Sequence, residues 1–183
     1  MRLHPLLAAL AGIALLVLVG HLGQLARPML KPEDLARALP PWPVALPEPG
    51  AGPLMRSPRD CLALAMYWEA KGEGIVGMAA VGSVILNRAH ASGFPDNVCA
   101  VVRQGGEAAP CHFSFWCDGR SDWPRETEPW QLAVRLAKTL LEGRVIDPTE
   151  GALYYHATRI RPYWAKEYEP TVRIGRHRFY RQS

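Results

Sequence analysis

Apolar positions recur at helical spacing in several places along the second two-thirds of the chain. The run RDCLALAMYWEA, residues 59–70, is almost continuously apolar and predicts a short buried helix with Ser57 or Asp60 as its cap. GIVGMAAVGSVILNRAHA, residues 74–91, sets Ile75, Met78, Ala79, Gly82, Ile85 and Leu86 on one stripe, and its small residues predict close approach by another helix. FPDNVCAVVRQ reads as a turn followed by a shorter helix, capped by Asp96 or Asn97. WQLAVRLAKTLLEG, residues 130–143, is amphipathic through Leu132, Leu136 and Leu140 and stops at Gly143. Residues 105–129 show no sustained period, but their aromatics and two cysteines predict an ordered, functional loop. Beyond residue 150, ALYYHA reads as a strand and TVRIGRHRFYRQ as a hairpin turning at Gly175-Arg176. Helices first and a small β element last make an α+β fold, mainly helical.

The first third is a different material. After Arg2 and His4, residues 5–26 carry no Asp, Glu, Lys or Arg. At about 1.5 Å per residue that length crosses a hydrocarbon core of about 30 Å. It reads as a transmembrane anchor with residues 1–4 as its short basic N-terminus, the alternative being a cleaved secretory signal. Both put the rest of the chain outside the cytoplasm. RPMLKPEDLARALPPWPVALPEPGAGPLMRSP is too rich in proline for long helices or sheet ladders, so residues 27–58 read as a tether with at most a helical turn around PEDLARAL. The catalytic or binding unit is then 59–183.

A net charge of +4, with scattered basic residues, leaves nucleic acid without support as a partner. All four cysteines (Cys61, Cys99, Cys111 and Cys117) fall in the exported unit, where an even set pairs. Four cysteines allow three connectivities. An antiparallel hairpin of the first two helices would bring Cys99 back beside Cys61, leaving Cys111 and Cys117 to close the short loop CHFSFWC. No C-x-x-C or histidine spacing points to a metal, and nothing points to a cofactor.

The chemistry is concentrated in AMYWEAKGEG, residues 65–74. A glutamate at the end of an apolar helix, beside Tyr67 and Trp68, is partly desolvated, so its carboxyl holds a proton at higher pH and can act as a general acid. Cleavage of a glycosidic bond needs such an acid, because the leaving oxygen must be protonated. Gly72 and Gly74 leave its approach open. The bland reading is that Glu69 and Glu73 flank Lys71 on a solvated helix end.

CLALAMYWEAKGEGIVGMAAVGSVILNR, FPDNVCAVVRQ, CHFSFWCDG, GALYYHA and IGRHRFY, in that order, resemble the SleB-type cell wall hydrolases, the family of the spore cortex-lytic enzyme. The resemblance runs over essentially all of residues 59–181. It implies a lysozyme-like fold, peptidoglycan glycan strands as the partner, lytic transglycosylation as the activity, and Glu69 as the catalytic residue. Two positions depart from the pattern. Lys71 stands where the family has arginine, and His112 stands where glutamine is expected. Under this reading Glu73 orients Glu69, raises its pKa by like-charge repulsion or faces the substrate, and Gln104, Phe113 and Ser114 line the groove. Tyr155 and His156 alternate on a strand, so that one faces the cleft, with His156 a ligand for a sugar acetamide. Trp164 would stack on a sugar ring.

Two other classes compete. An N-acetylmuramoyl-L-alanine amidase needs zinc ligands or a Cys-His pair, and the cysteines here look paired. A wall-binding module without activity has no need of a carboxyl at Glu69.

Overall fold

The computed structural model describes residues 28–39, 43–49, 54–106 and 111–182. The segment 5–26 lies outside the described residues, and among the described ones no helix is long and apolar enough to cross a membrane. The order is α1 (Leu35–Ala38), α2 (Pro58–Ala70), α3 (Gly74–His90), α4 (Val98–Val102), α5 (Ser114–Cys117), α6 (Thr127–Leu141), β1 (Tyr154–Ala157), β2 (Glu169–Ile174) and β3 (His177–Arg181). Single 3-10 turns cover Pro32–Asp34 and Tyr163–Lys166. The fold is α+β.

Helix α2 is the central post. Every residue from Cys61 to Tyr67 is buried, which its unbroken apolar run requires. Ser57, rather than Asp60, caps it, accepting the Asp60 N–H at 3.2 Å, and Asn97 caps α4 by accepting the Ala100 N–H at 2.9 Å. Helices α3 and α6 pack on α2. They meet it at Gly82, where an added Cβ would come 2.6 Å from Leu140 Cδ1 and 2.7 Å from Met66 Sδ, so a side chain there would force both to move. Helix α6 begins at Thr127, three residues before the amphipathic run. The bridges are Cys61–Cys99 and Cys111–Cys117, the pairing to which the hairpin geometry led.

The sheet is antiparallel with order β1-β3-β2, and its hairpin turns at Gly175-Arg176. Phe179, wholly buried, joins Ala80 and Val84 of α3 and Ala152 in a small second core that fixes the sheet against the helices. Tyr155 and Phe179 are register partners across β1 and β3, which places Tyr155 at the junction of the two cores.

Part of the segment read as a tether is built into this body. Leu30 N–H donates to the Arg144 carbonyl at 2.7 Å, and the Leu30 carbonyl accepts from Ile146 N–H at 2.9 Å. Leu35 is 0% exposed and sits in the main core with Leu39 and Met55. The prolines exclude a long helix but do not prevent a short strap from burying its leucines. Leu35→Ala should therefore destabilise the protein by about 2–5 kcal/mol, as burial of a whole leucine dictates. A melting curve that moved by less than about 1 kcal/mol in equivalent stability would show the strap to be dispensable.

Candidate active site

Helix α2 runs out at the mouth of a cleft of about 660 Å³ between the helical body and the sheet. Trp68 and Glu69 line one side, β1 contributes Tyr155, His156 and Ala157, and the 111–125 loop closes the third. Glu69 is held there by Tyr155, whose hydroxyl donates to Oε2 at 3.2 Å. Burial pushes the Glu69 carboxyl above its ordinary value, and the Tyr155 hydrogen bond and the positive charge of Arg88 only partly oppose it. Burial, and then the adjacent Glu69 carboxylate, drives the Tyr155 phenol well above its ordinary range, so it remains a donor. Glu69 is thus a desolvated carboxyl, oriented at one oxygen and inclined to carry a proton.

The loop facing Glu69 is tied to the same helix. Trp68 Nε1 donates to the Asp122 carbonyl at 2.9 Å, and the Tyr67 hydroxyl accepts the N–H groups of Arg125 and Glu126 at 2.9 and 3.1 Å. Lys71, the departure from the family's arginine, pairs with Glu126 and lies over the Tyr67 and Trp68 rings at 5.0 and 5.1 Å. Its charge therefore braces the loop's exit and does not reach the cleft. The Cys111–Cys117 bridge closes the start of the loop, and His112 N–H donates to the Gln104 carbonyl at 3.1 Å.

The expected site residues separate into two groups. Glu69, Ser114, Tyr155, His156 and Trp164 come together in the cleft, and His112 with them. Glu73, Gln104 and Phe113 do not line it. Phe113 is 0% exposed in the core, and Gln104 supports the loop from behind. Glu73 turns away to the sheet: its Oε2 accepts Arg176 N–H at 2.9 Å and its Oε1 pairs with Arg176 Nε. Burial alone would raise the Glu73 carboxyl, but these contacts hold it below the ordinary range. Gly175 has φ +55°, and a Cβ there would collide with Glu73 Oε2, so this latch requires glycine. Glu73 thus pins the β2–β3 turn to the end of α2 and does not contact Glu69. His156 spends both ring nitrogens internally: Nδ1 lies 2.9 Å from the Ala157 carbonyl, and Nε2 lies 2.9 Å from the Tyr180 hydroxyl. In the neutral ring the first donates and the second accepts, which leaves no nitrogen for an acetamide.

Sequence reasoning missed Arg88 and Asp122. Arg88 is 6% exposed and lines the cleft. Its position four after the buried Val84 and seven after the buried Val81 was the available signal, a charge at a core-facing spacing. Asp122, whose carboxyl burial and then Asp118 push up to about 6, lies in the aperiodic loop, where no period could single it out. No cluster of metal-ligating side chains occurs among the described residues.

Comparison with known proteins bears on the same region. The family model described as Cell Wall Hydrolase matches residues 72–180 and so begins three residues after Glu69. The spore cortex-lytic enzyme of Halalkalibacterium halodurans is 36% identical over 119 residues, covering 64% of this chain and 33% of that protein. That of Bacillus subtilis is 34% identical over 122 residues, covering 64% of this chain and 35% of that protein. This chain therefore spans about a third of the length of these relatives. Among solved structures, the catalytic domain of the germination-specific lytic transglycosylase SleB from Bacillus anthracis superposes with a TM-score of 0.56 at 30% identity, over 71% of this chain and 100% of that one. The catalytic domain of the Bacillus cereus SleB protein gives 0.52 at 30% identity, over 72% and 100%. With its fold matched to two such catalytic domains and the family pattern running across most of its structured body, the chain belongs to the cell wall hydrolase family.

Proposed function

We propose that this protein cleaves the glycan of peptidoglycan as a lytic transglycosylase, with Glu69 acting first as acid and then as base. The observation that carries the reading is the Glu69 carboxyl: desolvated, raised in pKa, anchored by Tyr155 and open to the cleft. Glu69 protonates the oxygen that joins N-acetylmuramic acid to N-acetylglucosamine, and that bond breaks. The carboxylate so formed accepts the proton of the muramoyl C6 hydroxyl, whose oxygen closes on C1 to give a 1,6-anhydro sugar. One carboxyl suffices because no water is activated. A lysozyme-like architecture, with a helical body and a small sheet flanking the cleft, fits this role. Residues 5–26 would serve as anchor or export signal, placing the domain against the wall.

Mass analysis of digested sacculi tests the proposal. Anhydro-muropeptides are expected. Reducing-end muramic acid would instead mean hydrolysis, which needs a second carboxyl to activate water, and Asp118 and Asp122 are the other carboxyls that line the cleft. Free stem peptides would mean an amidase, and unchanged sacculi a binding module.

A further inference from the structure

The cleft contains a buried positive charge that forms no ion pair among the described residues and is felt by Glu69 only at a distance. Arg88 Nε donates to the Leu153 carbonyl at 2.7 Å. Nη1 is enclosed without an acceptor, and no ion pair to Arg88 occurs among the described residues. The guanidinium instead lies among the rings of Phe94, Phe113 and Tyr154, at 5.3, 5.7 and 6.0 Å. Aromatic faces attract a cation but accept no directed hydrogen bond as a carboxylate does. Leaving such a donor unmet is costly, and an apolar side chain of similar volume would fill the space at lower cost. Stability therefore gives no reason for an arginine at this place. Its position on the cleft wall with Glu69, His112 and Tyr155 does.

We propose that Arg88 is a substrate-binding residue whose guanidinium receives a carboxylate of a peptide-substituted glycan lying in the cleft, an inference that rests on the glycan-cleaving function above. With Nε on the Leu153 carbonyl and Nη1 enclosed, Nη2 is the donor left to meet a carboxylate, and a full charge held in a poorly solvated site gains most from an opposite one. The rim agrees. Arg120, Arg125 and Arg159 line the cleft, are exposed and form no ion pair among the described residues, against Asp118 and Asp122. Of the two sugars, muramic acid alone carries a substituent that ends in carboxylates, so the contact also fixes which sugar lies on which side of the scissile bond.

A consequence follows for the acid. Arg88 is a positive charge that opposes the rise of the Glu69 pKa. A carboxylate bound to Arg88 offsets that charge, so an anionic substrate helps load the proton that cleaves it. A neutral substrate does not.

The test uses the Glu69→Gln protein to measure binding and the wild type to measure rates. The probes are glycan oligomers bearing stem peptides with free carboxylates, and the same oligomers with every carboxyl converted to the primary amide. The free form should bind about tenfold more tightly or better, as expected for a hydrogen bond to a charged group. This preference should persist at about 0.5 M salt, where the exposed rim arginines are screened and a buried one is not. Arg88→Leu should abolish it and Arg88→Lys should restore only part. For the wild type, the basic limb of kcat should lie above that of kcat/KM with the free-carboxylate probe and coincide with it for the amidated one. Equal binding of the two probes, or a preference that salt erases, overturns the assignment. Both comparisons are made with Arg88 intact, so they decide the matter even where an Arg88 variant fails to fold. If the preference is present but no anhydro product forms, Arg88 stands and the proposed reaction falls.

Discussion

Replacing Glu69 by glutamine is expected to keep the fold and to lower the rate of glycan cleavage by about 10²–10⁴-fold, the usual contribution of a general acid. Glutamine fills the same space at the end of α2 and can still accept the Tyr155 hydroxyl, but it has no proton to give the leaving oxygen. The pH dependence follows from the same carboxyl. An acid must be protonated to act, and burial raises Glu69 above its ordinary value, so activity should fall as pH rises through that raised value. Stability has the same sign. With a folded-state pKa above the unfolded one, the stabilising contribution of Glu69 is fully present below the unfolded value and is lost as pH rises through the folded value. Glutamine suffers no such loss, so the variant should melt at or above the wild-type temperature at neutral pH. A well-folded variant retaining more than about a tenth of the rate would remove Glu69 from the chemistry.

Removing the Cys61–Cys99 bridge should cost more stability than removing Cys111–Cys117. The two close 38 and 6 residues of sequence separation, and loop-closure entropy converts these to about 4 and about 2 kcal/mol. For a domain of this size the first corresponds to a fall of roughly 8–16 °C in melting temperature. The bridges also differ in what they hold. Cys61 is buried in α2 and ties it to α4, whereas Cys111–Cys117 shapes the loop that carries His112 and Ser114 into the cleft. Alanine pairs at 61/99 should therefore depress melting, and those at 111/117 should chiefly depress activity. Equal melting shifts, or a larger one for the short loop, would contradict this division of labour.

What could be read in advance follows physical rules that act locally. Helix α2 was legible because seven consecutive buried residues leave no ambiguity about which side faces the core, and Gly175 because a hairpin turn needs a residue free of a Cβ. Glu69 was legible as a charge where an apolar run ends. Glu73 misled because sequence distance set it beside Glu69, whereas the partner that decided its direction, Arg176, lies 103 residues away. His156 misled for the same reason: Tyr180 claims its Nε2 from another strand. The strap at 28–39 was hidden because proline density reports only which backbone forms are excluded. It is silent on whether a leucine between two prolines finds a hole to fill, as Leu35 does.

The single hydrogen bond from Tyr155 makes the two oxygens of Glu69 inequivalent. With Oε2 taken by the phenol, Oε1 is the oxygen left to carry the mobile proton in the proposed reaction. The same atom must then deliver that proton to the departing sugar and collect another from the C6 hydroxyl, without the carboxyl turning over. Departure and ring closure then share one side of the sugar ring, the side that carries C6 and from which a β-linked sugar leaves, so one oxygen can serve both transfers. Tyr155, which never exchanges a proton in this scheme, would be the residue that keeps Oε1 free for both transfers.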